Sequence, residues 1–471
     1  MNPLAKLWSL AESQPDSLAL VSTSVQMSYR DLAENVARFA GALRKEGVAK
    51  GSIVAISLQP ELEAVLILAV TQLGAVSLSA SKLILESYSP QIDFLITSDV
   101  TQMSKVKSKI VIDQAFMQRL GAVSKVTSPA PLAGSDLVRL SFSSGTTGIP
   151  KGIPFTADRI PLRTASAHRN WMQVTPGMSL LGLDTITGII ALFWAVTTGA
   201  TFFASRSPEE ILALIKNFKI KAIETSPARL KDLIETAGET KVTSLEQILV
   251  AGSLMTASLA EDCKRVFGFF PNYLYGSTEV GAATVGVFNP AENNRLGQLV
   301  QDVELQIVDD ELHELPIGTE GHIRYRKPHM PDEYWQSASK PLNGFVDGWF
   351  YPGDQGHLSA DGYLYLSGRS DDVVNDAGSK FNLLALDLWL TDTKLFDEVA
   401  SFSYNTATGT RIGLAFVSSN PPEPHILVEK IRSFLPNLQV GQILRISSLP
   451  RNKMDKVDRK ALADKAEENH A

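Results

Sequence analysis

The amino-acid sequence predicts an α/β protein: a large N-terminal part of layered α/β subdomains that ends in a small β unit, followed by a small α+β part. Strand-like and helix-like segments alternate before Gly297, as in parallel sheets covered by helices. Short alternating strands separated by Gly, Pro and Asp follow Gly297, which predicts a small antiparallel β unit. The chain has 471 residues, more than one domain usually contains, so we expect at least two folding units.

Periodicity and end signals place the elements of the first half. Ser28 is expected to cap a long amphipathic helix that ends at Gly47. Few regular elements are expected between residues 81 and 130. The uncharged run of residues 185–205 could span a bilayer by length, but threonines and glycines interrupt it, which favours a buried helix followed by a buried strand. Other predicted helices cover residues 3–12 and 61–73, and predicted strands cover residues 18–22, 26–29, 53–58, 75–79, 94–97 and 110–112.

The second half continues the alternation and then changes character. A proline and two acidic residues after Ser207 predict a helix start there. Residues 368–372, GRSDD, are expected to be a linker, and the tail after Ala463 is expected to fray. Predicted helices cover residues 156–171, 227–236, 383–390 and 424–434, and predicted strands cover residues 178–183, 222–225, 247–251, 303–308, 321–325, 362–367, 412–417 and 442–446, with a hairpin around residues 376–379.

Composition excludes several classes of function. A hydrophobic fraction of 44% and a charged fraction of 20% are those of an ordinary globular protein, and the net charge of −7 gives no basic surface for nucleic acid. The single cysteine, Cys263, excludes an internal disulfide and a cysteine-rich metal site. The N-terminal segment lacks a signal-peptide pattern. We therefore expect a cytoplasmic protein without a membrane span.

A loop rich in glycine and hydroxyl residues follows a predicted strand at residues 137–152, LVRLSFSSGTTGIPKG. Val138, Leu140 and Phe142 alternate with Arg139 and Ser141, which predicts a strand with one buried face. Small residues let backbone N–H groups approach a polyphosphate, and a lysine adds a mobile charge. The loop is not a Walker loop, which needs glycine before its lysine. The candidate phosphate ligands are Ser143, Ser144, Gly145, Thr146, Thr147, Gly148 and Lys151.

Two further motifs carry groups suited to a nucleotide. In YGSTE, residues 275–279, Tyr275 offers a flat face for a base, Thr278 a hydroxyl for a phosphate, and Glu279 a hard oxygen ligand for magnesium. In YPGD, residues 351–354, Asp354 can accept both ribose hydroxyls, and Arg369 can orient the sugar or a phosphate. Each motif alone would be an ordinary turn.

Together these motifs resemble those of the adenylate-forming enzymes: acyl- and aryl-CoA synthetases, peptide-synthetase adenylation domains and firefly luciferase. The resemblance covers most of the chain. It implies that Tyr275 stacks on adenine beside Gly276 and Ser277, that Gly252 and Ser253 line the adenine pocket, and that Glu279 holds the magnesium. It also implies that Lys456, in the basic run of residues 450–462, contacts the carboxylate and the α-phosphate.

The same resemblance implies a domain boundary and a second chemical step. Residues 1–369 would form the AMP-binding domain, and residues 370–471 a mobile domain that turns about Asp371. Gly378 and Thr185 would line the thiol tunnel. The acid pocket would contain Asp184, Gly188, Val280, Gly281 and Ala282.

Three positions depart from the family pattern. Asp455 stands where glycine is usual, Ala385 where glutamate is usual, and Thr185 where acyl-CoA synthetases carry an aromatic residue or histidine. Asp184 lies near the place where amino-acid-activating domains hold an aspartate, but a cap on the following helix is the favoured interpretation.

The sequence leads to one main functional hypothesis and two alternatives. The main hypothesis is an AMP-forming acid–thiol ligase that uses ATP, Mg²⁺ and CoA to activate a small carboxylic acid, with Lys456, Glu279, Thr146 and Lys151 as catalytic residues. The first alternative is a ligase that loads the phosphopantetheine thiol of a separate carrier protein. The second is a homologue that binds adenylate without turnover.

Overall fold

The computed structural model describes residues 2–99, 101, 105–143, 150–170, 173–238, 240, 242–336, 342–376, 379–393, 395–406, 409–419, 421, 423–434, 440–451 and 457–468. The helices, in chain order, are α1 (Ala5–Ser13), α2 (Tyr29–Lys45), α3 (Pro60–Gln72), α4 (Lys82–Tyr88), α5 (Gln114–Leu120), α6 (Arg159–Asn170), α7 (Ile186–Thr198), α8 (Pro208–Phe218), α9 (Pro227–Ala237), α10 (Ala257–Phe267), α11 (Leu383–Asp392), α12 (Pro424–Phe434) and α13 (Arg459–Glu468). Short 3₁₀ turns cover Ser89–Gln91 and Ser370–Asp372.

The strands, in chain order, are β1 (Leu18–Val21), β2 (Gln26–Ser28), β3 (Ile53–Ser57), β4 (Val76–Ser79), β5 (Phe94–Thr97), β6 (Ser108–Val111), β7 (Leu137–Ser143), β8 (Lys151–Thr156), β9 (Gly177–Ser179), β10 (Phe202–Phe203), β11 (Ala222–Thr225), β12 (Gln247–Ala251) and β13 (Asn272–Ser277). They continue as β14 (Gly281–Val287), β15 (Arg295–Leu299), β16 (Glu304–Val308), β17 (Gly321–Arg326), β18 (Gly344–Val346), β19 (Trp349–Tyr351), β20 (Asp354–Leu358), β21 (Tyr363–Arg369), β22 (Val373–Asp376), β23 (Ser379–Asn382), β24 (Glu398–Thr406), β25 (Gly409–Val417) and β26 (Val440–Arg445).

The first sheet has six strands in the order β6-β5-β3-β4-β7-β8. Its first five strands are parallel, and β8 returns antiparallel to β7. Helix α2 packs on its neighbour α3, and its start is the one expected: the hydroxyl of Ser28 accepts from the N–H of Asp31, whose carboxylate accepts from the N–H of Ser28.

The phosphate-loop strand differs from its prediction. Arg139 and Ser141, expected on an exposed face, are both buried, because β7 lies between β4 and β8 in a sheet covered on both faces. The helix expected over residues 156–171 is shorter: β8 occupies the chain as far as Thr156, and α6 begins at Arg159. Helices α4 and α5 also occupy the region where few regular elements were expected.

The second sheet has twelve strands in the order β18-β19-β17-β20-β21-β15-β14-β13-β12-β11-β9, with β16 paired to β17. Strands β9, β11, β12 and β13 are parallel, and the strands from β14 onward add antiparallel. The predicted small antiparallel β unit after Gly297 is present, and it continues the parallel strands instead of forming a sheet of its own. Strand β15, which contains Gly297, pairs with β14 on one side and β21 on the other, so the two strand patterns share one sheet.

The apolar run of residues 185–205 forms the buried helix α7 and the short buried strand β10, as predicted. Strand β10 pairs with β1, and β1 with β2, in a third sheet. Among the residues that the structure describes, none lies in a helix long and apolar enough to cross a membrane.

The described residues after Ser370 pack into cores of their own. One core joins α11 and α12 to β24 and β25, and another joins β24 and β25 to α13. The main core of the preceding part runs from Leu4 to Leu366. Large N-terminal and smaller C-terminal packing units agree with the predicted fold class.

The predicted linker contains regular structure, and the prediction of a fraying tail was wrong. Residues 368 and 369 are the end of β21 and residues 370–372 form a 3₁₀ turn, and this GRSDD segment precedes the cores of the C-terminal part. The tail does not fray before Glu468: α13 buries Leu462 and Ala466 completely against β24, because its apolar residues recur at helical spacing.

We expect Leu462→Ala to lower the free energy of unfolding of the C-terminal part by about 2–5 kcal/mol, because it empties a fully buried site. The exposed Lys465 on the same helix provides the matched control. Urea unfolding of both variants, followed by hydrogen exchange of β24 amides, measures the effect. Equal stability of Leu462→Ala and Lys465→Ala would show that α13 does not contribute to the core.

Candidate active site

Several residues predicted to bind ligands lie outside the described part of the chain. These are Ser144, Gly145, Thr146, Thr147, Gly148, Gly378 and Lys456. The remaining predicted residues are described, and they lie mainly at the ends of β7, β12, β13, β20 and β21 and in α7.

The chain that leaves the phosphate loop is held from two sides. The hydroxyl of Tyr88 donates to the carbonyl of Pro150 at 2.6 Å, and the N–H of Trp335 donates to the carbonyl of Gly152 at 2.7 Å. A Cβ atom on residue 152 would lie 3.1 Å from the Trp335 ring, so glycine permits this approach. The backbone of Lys151 is thereby fixed on both sides.

Tyr334 connects Lys151 to Glu279. The Lys151 ammonium lies 4.6 Å from the centre of the Tyr334 ring, a cation–π distance, and the Tyr334 hydroxyl donates to Glu279 Oε1 at 3.1 Å. Burial and the neighbouring Glu279 carboxylate raise the pKa of Tyr334 above its ordinary value, so it remains a hydroxyl donor. Two residues from distant motifs therefore meet on one aromatic side chain that the sequence analysis missed.

Arg163 of α6 supports the backbone of the YGSTE turn. Its guanidinium donates to the carbonyls of Thr278 and Glu279, each at 3.2 Å, and lies 5.4 Å from the centre of the Phe155 ring. Burial lowers the pKa of Arg163 to about 10, so the group remains a cation at neutral pH. Gly281, with φ of +96°, leaves room for it, since a Cβ there would lie 3.1 Å from the guanidinium carbon.

No local pattern marks Arg163 as part of the site, because its contacts are with residues 115 and 116 positions away. Tyr334 is likewise 55 positions from Glu279. Sequence spacing alone cannot indicate such pairs.

Tyr275, Asp354 and Arg369, each predicted to bind the nucleotide, lie together. The Tyr275 hydroxyl donates to Asp354 Oδ2 at 2.6 Å, and Arg369 Nε lies 3.4 Å from Asp354 Oδ1. Strands β20 and β21 pair Asp354 directly with Arg369. Burial, together with the Asp354 carboxylate, holds the pKa of Tyr275 well above its usual value. The phenol is thus a neutral donor to a carboxylate that also faces a cation.

The AGS turn adjoins this group across the parallel pair β12 and β13. Ala251 is in register with Leu274, one residue before Tyr275, and the Tyr273 hydroxyl donates to the carbonyl of Ser253 at 3.1 Å. Gly252, with φ of +97°, makes the turn. The carboxyl ends of parallel strands open onto one edge of a sheet, where ligands of α/β proteins bind. Gly252 and Ser253 therefore lie at the same edge as Tyr275, Gly276 and Ser277.

The start of α7 differs from the favoured interpretation. Asp184 is exposed and does not cap the helix; the Thr185 hydroxyl accepts from the N–H of Gly188 at 3.1 Å and donates to the carbonyl of Gly182 at 2.8 Å. Gly188 packs on that loop, since a Cβ there would lie 2.2 Å from the carbonyl oxygen of Gly182. Thr185 is the N-cap residue because it directly precedes the helix and has the extended backbone that an N-cap needs.

A buried arginine holds the loop before α7. Arg139 donates to the carbonyl of Leu183 at 2.7 Å and to the hydroxyl of Ser79 at 2.8 Å, and Ser79 donates to Glu63 Oε1 at 2.5 Å. Burial raises the pKa of Glu63, which the Arg139 cation opposes. The network ties the predicted gate of the thiol tunnel to the strand that delivers the phosphate loop.

A cavity of about 40 Å³ lies between α7 and the face of β9, β11 and β12. Glu224 of β11 is the titratable residue in its described lining. Burial alone raises the pKa of Glu224 to about 8, because none of the described groups provides a compensating charge or hydrogen bond. Most other lining residues are apolar or small: Val174, Gly177, Met178, Ala191, Trp194, Phe202, Phe203, Ala222, Ile223 and Leu249.

Comparison with known proteins identifies the family. The family model described as AMP-binding enzyme matches residues 7–335, more than half of the chain. The chain therefore belongs to the AMP-binding enzyme family.

Curated relatives in this family differ in length. The 2-succinylbenzoate--CoA ligase of Listeria innocua is 23% identical over 96% of this chain and 97% of its own length. The fatty acid--[acyl-carrier-protein] ligase ScoC of Streptomyces coeruleorubidus is 28% identical over 69% of this chain and 66% of its own. The chain spans 7%, 13% and 44% of tyrocidine synthases 3, 2 and 1 of Brevibacillus parabrevis, so it covers less than two thirds of these relatives.

A solved structure confirms the fold. The O-succinylbenzoate CoA synthetase of Bacillus subtilis, in complex with its acyl-adenylate intermediate, superposes with a TM-score of 0.85 at 23% identity, covering 97% of each chain.

We expect the stability of the protein to decrease as pH rises from about 4.5 to 8. The pKa of Glu224 is about 8 in the folded protein against 4.5 in the unfolded chain, so in this window the folded state binds more protons, and stability falls by at most ~1.4 kcal/mol per pH unit from this group. Urea unfolding across this range should show the slope in the wild type and lose this contribution in Glu224→Gln. The exposed Glu235→Gln should retain it. Identical pH profiles of the wild type and Glu224→Gln would contradict the burial of this carboxyl group.

Proposed function

We propose that the protein activates a carboxylic acid with ATP and then transfers the acyl group to the thiol of CoA. In the first step a carboxylate oxygen bonds to the α-phosphorus and the bond to pyrophosphate breaks, which yields an acyl-adenylate. In the second step the thiol sulfur bonds to the acyl carbon, AMP leaves, and the thiol proton is released. One observation carries the proposal: in a member of the AMP-binding family, Tyr275, Asp354 and Arg369 form one contact group and Glu279, Tyr334 and Lys151 another.

The first group would bind the nucleoside. The Asp354 carboxylate has two oxygens for ribose hydroxyls, and Arg369 orients it. The Tyr275 ring would stack on adenine, with Gly252, Ser253, Gly276 and Ser277 beside it. The hydrogen bond from its hydroxyl to Asp354 keeps this ring in place before the nucleotide arrives.

The second group would hold the phosphates and Mg²⁺. Among the residues that the structure describes, there is no cluster of three or more His, Cys, Asp or Glu side chains, so a protein-only metal cage is not found there. A single buried carboxylate, Glu279, suits Mg²⁺, which usually takes one or two carboxylates and completes its shell with phosphate oxygens and water. When bound, the ion would neutralise charge on the phosphates. Thr278 and the loop residues Ser143, Ser144, Gly145, Thr146, Thr147 and Gly148 would supply the other phosphate contacts.

Two lysines would each stabilise negative charge on a different part of the reacting nucleotide and acid. Lys151, whose ammonium lies over the ring of Tyr334, would steady the outgoing pyrophosphate. Lys456 would contact the reacting carboxylate and α-phosphate, where negative charge accumulates in the transition state.

We propose a domain boundary at residues 369 and 370, with Asp371 as the hinge. The cores on either side of the 3₁₀ turn at Ser370–Asp372 support it, with Leu384 of α11 as a residue after the turn that also packs on the main core. Rotation would remove Lys456 after adenylation and bring Gly378 to the thiol tunnel beside Thr185. A cytoplasmic location, where CoA and ATP occur, stays a prediction.

A separate carrier protein is the second candidate acceptor. The likeness to the ScoC ligase, whose name states an acyl-carrier protein as acceptor, favours it. Thioester formation with CoA and with holo-carrier protein, measured on the same acid, distinguishes the two acceptors.

We expect acid-dependent ATP–pyrophosphate exchange from the full-length protein, and a decrease of at least about a hundredfold in Glu279→Gln, because the neutral amide cannot hold the metal. Glu235→Gln, an exposed change of the same kind, is the matched control. ATP binding without exchange, over a panel of aliphatic and aryl acids, would favour the homologue without turnover. Full exchange in Glu279→Gln would contradict the role of this residue.

We expect Asp371→Pro to slow thioester formation from preformed acyl-adenylate by at least about tenfold, since proline fixes the φ angle that rotation must change. Asp371→Ala keeps the backbone free and is the control. Single-turnover assays of both half-reactions measure the effect. If Asp371→Pro leaves both half-reactions at the wild-type rate, residue 371 is not the hinge.

A further inference from the structure

One face of α7 borders the cavity. Thr187, Ala191 and Trp194 recur at positions i, i+4 and i+7, so they lie on one side of the helix, and the last two line the cavity. Ala191 lies six residues beyond Thr185, about 9 Å along the helix axis.

The opposite wall leads to the AGS turn. Leu249 lines the cavity, and Ala251, two residues further along β12, lies on the same face about 7 Å away and directly precedes Gly252. The cavity therefore lies between two elements that both end at the proposed adenylation site.

The cavity contains a hydrogen-bond acceptor that lacks a donor. Gln247 Oε1 is buried, and no described group donates to it. Glu224, which is half-buried and in register with Leu249 and Ser179, lines the same cavity. Buried polar groups without partners are uncommon in folded proteins and indicate a missing partner such as a ligand. At about 40 Å³ the cavity holds one terminal group of a ligand rather than a whole acid.

We propose, on the basis of the acid-activating function above, that the cavity receives the end of the acid farthest from its reacting carboxylate. That end carries a hydrogen-bond donor, an amino or hydroxyl group, which Glu224 and Gln247 accept. The body between the two ends is apolar and passes along Ala191.

Charge decides which far-end groups are tolerated. Burial raises the pKa of the Glu224 carboxyl. An amine would take up the Glu224 proton and form an ion pair with the resulting carboxylate, whereas a hydroxyl would form a neutral hydrogen bond with the protonated carboxyl. A second carboxylate would lose its hydration in a lining that contains no described cation to offset its charge. A methyl group would leave both acceptors unpaired. The expected substrates are thus ω-amino or ω-hydroxy acids, and dicarboxylates such as 2-succinylbenzoate are disfavoured.

The test compares acids that differ only at the far end. Unsubstituted, ω-hydroxy, ω-amino and ω-carboxy acids of six and eight carbons are assayed for ATP–pyrophosphate exchange with the full-length protein. The amino or hydroxy acid should exceed the unsubstituted acid in kcat/KM by at least about tenfold, and the diacid should fall below it. Glu224→Leu should abolish this preference, Glu224→Gln should reduce it for the amino acid, and Glu235→Gln should preserve it.

Calorimetric binding of the same acids without ATP separates this inference from the ligase proposal. If acids with a far-end hydrogen-bond donor bind more tightly but no acid supports ATP–pyrophosphate exchange, the cavity assignment is supported and the ligase proposal is overturned. Exchange that favours the unsubstituted acid or the diacid, or equal ratios in the wild type and Glu224→Leu, overturns the cavity assignment alone.

Discussion

The hydrogen bond from Tyr334 to Glu279 is the interaction on which the proposed phosphate site depends. A carboxylate removed from water needs donors or a cation nearby, and Tyr334 supplies the former while its ring attracts the Lys151 ammonium. Trp335, the next residue, fixes the strand that carries Lys151. Tyr334 and Trp335 therefore position residues from two sheets. Their contacts set the distance between the chain that leaves the phosphate loop and the Glu279 carboxylate.

The nucleoside group has a different physical basis. Tyr275, Asp354 and Arg369 come from strands of the same sheet, so strand pairing sets their distances and side-chain hydrogen bonds only orient them. Arg163 stabilises the adjoining turn by donating hydrogen bonds to the carbonyls of Thr278 and Glu279. The twelve-stranded sheet, by joining its parallel and antiparallel halves, holds the base-binding and ribose-binding residues in one rigid layer.

Patterns that depend on neighbouring residues could be predicted from the sequence, and contacts between distant segments could not. The Ser28 cap, the helix and strand at residues 185–205 and the Tyr275–Asp354–Arg369 group follow from local spacing or from motifs. Burial of Arg139 was missed because alternation reports one face of a strand and not what covers the other. Tyr334 and Arg163 act over more than fifty positions, and β8 follows a loop whose composition gives no sign of a return strand.

Thr185 has two duties that constrain how this protein can diverge. Its hydroxyl closes the first turn of α7, while its position makes it the residue next to the proposed route of the thiol. A histidine or aromatic residue there, as in the family pattern, would remove the cap at a cost of about 1 kcal/mol. The effect of substituting Thr185 therefore depends on its neighbours. A bulkier side chain becomes tolerable only after a neighbouring residue has gained the ability to cap the helix, so the order of substitutions matters.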